Sequence, residues 1–330
     1  MFARLRPSTQ AVAAVSAAAG RLTRRNYAIA SPGAAVFQIF NRHVKTRQRD
    51  RAALDVEKSR TTDYLKDEIA ARVADRLEDI KRDFHTVVDL GSGCGHIVKH
   101  VNNTMMQKLV MCDISEKALL RDADQQFPVQ VERRVVDEEH LPFEEDSLDA
   151  VVSSLSMHWV NDLPGTLIQV RKALKPDGVF VGAVFGGDTL FELRTSLQLA
   201  ETEREGGVSP HVSPMTDSSD MSRLLSRAGF TLTTVDVDEI QVNYPSMFEL
   251  MDDLKAMGEN NAVLSRRAIL KRDTLLAAAS IYKELHGNPD GTIPATFQII
   301  YMIGWKPSAS TPLPKKRGSA TKSLKDELGN

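Results

Sequence analysis

The sequence predicts an α/β fold: a doubly wound, mostly parallel sheet with a helical cap inserted before its last strand. Three observations carry this. Short runs rich in β-branched residues alternate with helix-patterned stretches as far as Phe185. One of those runs, within VVDLGSGCGH at Val87–His96, ends in an acid followed by three glycines on alternate positions. Beyond it, a mostly helical stretch, Ser246–Leu285, separates two further strand-like runs. A chain of 330 residues can bury one substantial core with an added cap.

Taken in order, Leu54–Ile80 has helical spacing and Thr86–Leu90 is the first strand. His96–Val101 resumes helix-like spacing, so the glycines mark a strand-to-helix turn. Further strands are expected at Leu109–Cys112, Val129–Val136, Leu148–Ser153 and Val179–Phe185. A helix from Pro164 to Leu174 precedes the last of these, with proline at its start and the turn Lys175-Pro176-Asp177-Gly178 at its end. Residues 206–219 are rich in Gly, Ser and Pro and read as a loop. Thr231–Val242 and Thr296–Trp305 read as strands, and the prolines at 307, 312 and 314 mark a mobile tail. The expected organisation is a leader at 1–27, a helical segment at 28–83, a ligand-binding core at 84–245, a cap at 246–295, the last core strand at 296–305 and the tail at 306–330.

Glycines at Gly91, Gly93 and Gly95 let backbone approach a ligand where side chains would prevent it. The pattern lacks the third glycine of a dinucleotide fingerprint, and Asp89 stands two residues before the first glycine. A carboxylate there would repel a pyrophosphate but attract an ammonium or sulfonium group. S-adenosylmethionine is such a ligand. Asp113 ends the second strand about 20 residues past the glycines, where an acid can accept hydrogen bonds from ribose hydroxyls. Asp137, at the end of the third strand, could meet the adenine amino group. Asp137, Glu138, Glu139 and His140 are consecutive on a loop with no spaced partner, so no metal site is expected there.

The fourth strand delivers its end to the reacting group, through SSLSMHW at Ser153–Trp159. Ser154, His158 and Trp159 are therefore candidates for contacts near the sulfonium or the substrate, with helix packing or capping as the plain alternative. The Asn-Pro-Pro-aromatic sequence of nucleic-acid amino methyltransferases is missing here.

The first 49 residues contain no acid, and Arg4, Arg6, Arg21, Arg24 and Arg25 stand among alanines and hydroxyl residues. That is the composition of a mitochondrial transit peptide, with cleavage expected after Tyr27. Removing those five arginines takes the formal charge from −2 to about −7, which gives no reason to expect a nucleic-acid partner. The basic stretch Asn41–Arg51 reads as a helix whose cations either face solvent or touch anionic lipid or an acidic partner. Two cysteines, Cys94 and Cys112, give neither a disulfide framework nor a zinc site.

Several motifs extend this reading by resemblance. The glycine loop, HLPF at 140–143, MHWVNDLP at 157–164 and ALKPDG at 173–178 resemble class I S-adenosylmethionine methyltransferases, near the group that methylates a carboxyl on a malonyl carrier. FGGDTLFELRTSLQLAETEREGG at 185–207, SPHVSPMTD at 209–217, DEIQVNYPSMFELMDDLKAMGE at 238–259 and ATFQIIYMIGWK at 295–306 resemble the mitochondrial arginine-hydroxylase assembly factors of respiratory complex I. That resemblance implies a matrix protein peripherally attached to the inner membrane, which hydroxylates an arginine of the complex I iron–sulfur subunit beside the quinone site. It also implies a small stabilising assembly partner. Asp89, Gly91, Gly93, Gly95, Asp113 and Asp137 carry over as S-adenosylmethionine pocket residues; no catalytic residue carries over.

Oxygen insertion normally needs a redox centre, yet the eight histidines include no His-x-Asp or His-x-Glu. Three functions are therefore expected in turn: an arginine hydroxylase, a methyltransferase acting on a small acid or protein side chain, and a cofactor-binding assembly chaperone without chemistry.

Overall fold

The computed structural model describes residues 37–267, 269–312, 315 and 317–319. The expected leader at 1–27 lies outside them. Three helices come first: α1 (Arg42–Leu54), α2 (Val56–Thr61) and α3 (Tyr64–Glu78). The sheet region follows with β1 (Phe84–Leu90), β2 (Met106–Asp113), α4 (Glu116–Leu120), β3 (Gln130–Val135), β4 (Leu148–Ser154), α5 (Leu163–Ala173) and β5 (Leu174–Phe185). After α6 (Phe191–Glu205) and α7 (Ser218–Ala228) come β6 (Thr231–Tyr244), α8 (Met247–Ala256), α9 (Arg272–His286) and β7 (Ile293–Trp305).

The seven strands form one sheet in the order β3-β2-β1-β4-β5-β7-β6. β1 to β5 are mutually parallel, whereas β7 runs antiparallel to both β5 and β6. The order reverses between β1 and β4, which leaves a crevice beyond their carboxyl ends. This is the doubly wound sheet that the alternating pattern predicts. Successive strand residues point to opposite faces. Val87, Leu109 and Met111 pack with Ile69, Val73 and Leu77 of α3. Val88, Leu90 and Val110 pack on the other face with Leu167 and Val170 of α5 and Leu225 of α7. Burial on both faces explains why these strands read as continuous apolar runs.

Three local expectations need correction. The helix read over Leu54–Ile80 is two helices, broken at Thr62 and Asp63. There the Thr62 hydroxyl donates to the Ser59 carbonyl (3.0 Å), and Asp63 turns aside to bind Arg121, whose Nη2 lies 2.6 Å from its carboxylate. After the glycines the chain makes only a 3-10 turn, Ile97–Lys99, whose Ile97 and Val98 bury in the same cluster as Ile69, Val73 and Leu77 of α3. The start of the expected mobile tail is held down: Lys306 Nζ lies 2.6 Å from Asp146, and the Ser308 hydroxyl donates to Asp177 (2.6 Å).

Arg121 ties the helical entry to the sheet. Its buried guanidinium donates to Asp63, Asp122 and the Ser59 hydroxyl, so it joins α2, α3 and the turn after α4. Removing it would strand buried carboxylates, and breaking a buried pair typically costs about 3–5 kcal/mol. Arg121→Ala is therefore expected to lower the melting temperature sharply. A melt within experimental error of the parent would show that this cluster contributes no net stability.

Candidate functional site

β1 delivers Asp89 to the crevice, and the chain then turns through Gly91, Gly93 and Gly95, all with positive φ. A Cβ on Gly91 would lie 2.0 Å from the Ser156 hydroxyl oxygen, so this position needs glycine for space as well as conformation. A Cβ on Gly93 would meet nothing within 4 Å, so that glycine serves the turn and leaves the backbone open to the crevice. The loop walls a cavity of about 40 Å³ together with Asp89, Asp113, Ser154, Arg49 and Lys66.

The acids of this cavity differ sharply. Asp113 is fully buried and fully engaged. Its Oδ1 accepts from the Ser115 N–H (2.8 Å) and its Oδ2 from the Gly93 N–H (3.0 Å), while Arg49 Nη1 donates to both oxygens (3.2 and 3.0 Å). Asp89 is equally buried, but among the described residues neither of its oxygens has a hydrogen-bond partner. Burial, and then the nearby Asp113 charge, push its carboxyl well above the usual range.

Asp137 does not line this cavity. It is half exposed and pairs with Arg42 Nη2 at 2.8 Å. Its neighbour Glu138 turns inward instead: it is fully buried, pairs with Arg42 and Arg49, and accepts from the Ser156 hydroxyl (2.8 Å). Burial alone would raise the Glu138 carboxyl, but the two guanidinium groups hold it below its ordinary value. The basic helix also differs from its sequence reading. Lys45 and Arg49 are buried, 0% and 7% exposed, and face acids and carbonyls of this chain rather than solvent or lipid.

The three candidates from the fourth strand end separate. Ser154 lines the first cavity, and its hydroxyl is buried without a partner among the described residues. Trp159 lines a second cavity of about 190 Å³, with Phe185, Leu193, Met251, Leu254 and Glu259. His158 packs against Phe185 and lies at the wall of a third, of about 330 Å³, with its Nε2 3.5 Å from Glu259. Burial lowers its imidazole, so it is neutral near pH 7.

Glu259 was not visible from sequence, nor was its pairing with Lys66 and with the candidates Trp159 and His158. The Trp159 indole N–H donates to it (2.8 Å) and Lys66 Nζ lies 2.9 Å away. Burial opposes its charge, but Lys66, His158 and Lys45 outweigh that and hold the carboxyl well below the usual range. Lys45 Nζ sits 3.2 Å from the Trp159 ring centroid and donates to the carbonyls of Gly258 and Asn260. Asp63, Asp67 and His96 also converge closely enough to hold a metal ion, but cations of the chain already engage the acids: Lys99 lies 2.9 Å from Asp67, and Arg121 2.6 Å from Asp63.

Asp89 gives a pH-dependent prediction. Its folded-state carboxyl is raised, so above the unfolded value the native state holds a proton that the unfolded state has lost. Its contribution to stability therefore falls as pH rises from the ordinary carboxyl range upward, by about 1.4 kcal/mol per unit until the folded-state value is reached. Asp89→Asn should melt higher than the parent, by a margin that grows from pH 5 to pH 8. A margin independent of pH would contradict the uncompensated burial.

Comparison with known proteins places this geometry. The family described as a methyltransferase domain matches residues 88–182, from within β1 into β5. A methyltransferase candidate of Bacillus halodurans C-125 shares the fold at TM-score 0.50 and 17% identity, covering 71% of this chain and 99% of that one. The chain is 32% identical over 271 residues to malonyl-[acyl-carrier protein] O-methyltransferase of Laribacter hongkongensis (strain HLHK9), covering 79% of this chain and 88% of the relative. It is 56% identical over 292 residues to arginine-hydroxylase NDUFAF5, mitochondrial, of Homo sapiens, covering 88% of this chain and 83% of the relative. Identity of that extent, across most of both chains, shows that the protein belongs to the mitochondrial arginine-hydroxylase NDUFAF5 family, enzymes by name on a methyltransferase-like fold.

Proposed function

We propose that this protein hydroxylates an arginine side chain of the complex I iron–sulfur subunit, beside the quinone site and early in assembly. The observation that carries this is the 56% identity over 88% of the chain to the human arginine-hydroxylase, against 32% over 79% to the malonyl-carrier methyltransferase. The same reading gives the protein a cleaved leader at 1–27, a place on the matrix face of the inner membrane and a small stabilising partner. The attachment in this reading is peripheral; among the described residues no helix is long and apolar enough to cross a membrane.

For the first cavity we infer S-adenosylmethionine as ligand. The residues fit it. Asp89 is a buried carboxylate with no partner among the described residues, suited to an ammonium or sulfonium group. Asp113 stands where ribose hydroxyls are accepted, and the glycine turn presents backbone at close range. Gly91 and Gly93 line the pocket and Ser154 offers a hydroxyl beside them, whereas Gly95 faces the Met111 side chain and neither it nor Asp137 lines the cavity. The cofactor supplies an activated methyl group and a positive sulfur when bound.

The second cavity is the inferred substrate site. Trp159, Phe185 and Leu193 can cover the apolar stem of an arginine, and the segment 246–295 closes over them as a cap through Met251 and Leu254. Exclusion of water there would strengthen every polar contact to the bound group. Methyl transfer to a carboxyl or protein side chain is the second reading. The malonyl-carrier relative favours it, and such transfer asks only for alignment and a dry site.

Peptide mass spectrometry of the iron–sulfur subunit separates these readings, in cells carrying the intact protein, Gly93→Val or none. Hydroxylation is expected only with the intact protein, since a valine at φ +56° strains the loop. An arginine that keeps its added oxygen without the protein would remove the hydroxylase reading. A deletion strain rescued in assembly by Gly93→Val without that oxygen would favour a chaperone.

A further inference from the structure

The buried side of α1 is cationic. Arg42, Lys45 and Arg49 are spaced by three and four residues and so share one face. Arg42 pairs with Asp137 and Glu138; Arg49 donates to Asp113, to Glu138 (3.3 Å) and, through Nη2, to the Ser156 hydroxyl (2.9 Å). The helix is thus attached to the sheet by ion pairs more than by an apolar stripe. Buried ion pairs bring little net stability, because desolvation offsets their attraction. Such an attachment can be exchanged for another set of donors where the new donors satisfy the carboxylate that the guanidinium leaves.

Asp113 shows what the competing donors would be. A carboxylate has about four acceptor positions. Here two are held by the backbone N–H groups of Gly93 and Ser115, which the fold fixes, and two by Arg49 Nη1, which it does not. A ribose diol can reach this carboxylate only by replacing Arg49. The cavity volume agrees: about 40 Å³ stands against about 300 Å³ for the smaller ligand pockets of proteins.

We propose that Arg49 is an internal latch on the nucleoside site, whose guanidinium occupies the ribose-accepting carboxylate until a nucleoside with a free vicinal diol displaces it and releases α1. This rests on the inferred adenosyl ligand of the first cavity. The release reaches the second cavity, because α1 also holds its wall: Lys45 donates to the carbonyls of Gly258 and Asn260, and Gln48 to that of Asn261 (3.2 Å). Asn260 and Asn261 line that cavity. Loading of the nucleoside site and access to the substrate site are linked through one helix, and by reciprocity a substrate that needs α1 released would favour nucleoside binding.

Hydrogen exchange on the full-length mature protein tests this, with and without saturating S-adenosylhomocysteine. The amides of Arg42–Leu54 should exchange several-fold faster with the nucleoside, while those of Gly91–Gly95 exchange more slowly. 2′,3′-Dideoxyadenosine, which has no diol, should leave α1 unchanged. Slower or unchanged exchange in α1 with a protected glycine loop would overturn the latch, since the ligand would then sit beneath a helix still attached.

Arg49→Gln adds a measurement without ligand. Its α1 should exchange faster than the parent's, and calorimetry should show several-fold tighter binding of both S-adenosylhomocysteine and methylthioadenosine. Weaker S-adenosylhomocysteine binding with unchanged methylthioadenosine binding would overturn the latch and make Arg49 an anchor for the ligand carboxylate. An unmoved α1 in a folded Arg49→Gln overturns it whatever binds. A loosened α1 in a protein that takes neither nucleoside would instead refute the cofactor reading, and with it the exchange at Asp113. Should Arg49→Gln not fold, the comparison in the unaltered protein decides.

Discussion

A buried cluster of opposite charges at the carboxyl ends of β1 and β2 is the interaction on which the arrangement of this protein depends. Asp113 comes from β2, Glu138 from the turn after β3, Ser156 from the turn after β4, the Gly93 N–H from the loop after β1, and Arg49 from α1. Five separate pieces of chain meet within hydrogen-bond distance. Charges taken out of water are tolerated only when well paired, so each piece constrains the rest. The glycine at 91 belongs to the same constraint, since any side chain there would collide with Ser156.

The contrast between Asp113 and Asp89 gives the crevice its chemical direction. One carboxylate is surrounded by donors; the other, also fully buried, has none among the described residues. Stability alone would not keep an acid at position 89, where an amide of the same shape would be cheaper to bury. The second cavity shows the opposite arrangement, with Glu259 paired with Lys66 and bonded to Trp159, so its charge helps hold the loop after α8 in place.

Much of this was legible in the sequence, and the reasons are local. A strand that ends in an acid and alternating glycines announces its own turn, and Asp113 follows at a spacing set by one crossover. Both sheet faces are buried, so the strands of the core stand out as apolar runs. What could not be read depends on contacts between distant parts of the chain. Whether Asp137 or Glu138 turns inward is decided by the turn after β3 and by two arginines some ninety residues earlier in the sequence. A helix with arginines and lysine on one side reads as solvated, because cationic faces usually are. Only the fold shows that acids from the end of β2 and the turn after β3 await that face. The break between α2 and α3 was hidden for a similar reason, since Arg121, distant in sequence, binds Asp63 beside the local Thr62 bond to Ser59 that ends α2.

The Lys45 amine over the ring of Trp159 has an optical consequence. Of the two tryptophans in the chain, Trp305 ends the strand β7, while Trp159 lies buried between α1 and the loop after α8. The Lys45 amine, whose charge burial disfavours, lies against the indole face, and a carboxylate accepts from the ring N–H, so the polar surroundings of this ring depend on where α1 sits. Any movement of α1 would carry Lys45 away from the ring. The protein therefore contains an intrinsic fluorophore in the wall of the second cavity, against α1, able to report the position of that helix without a label.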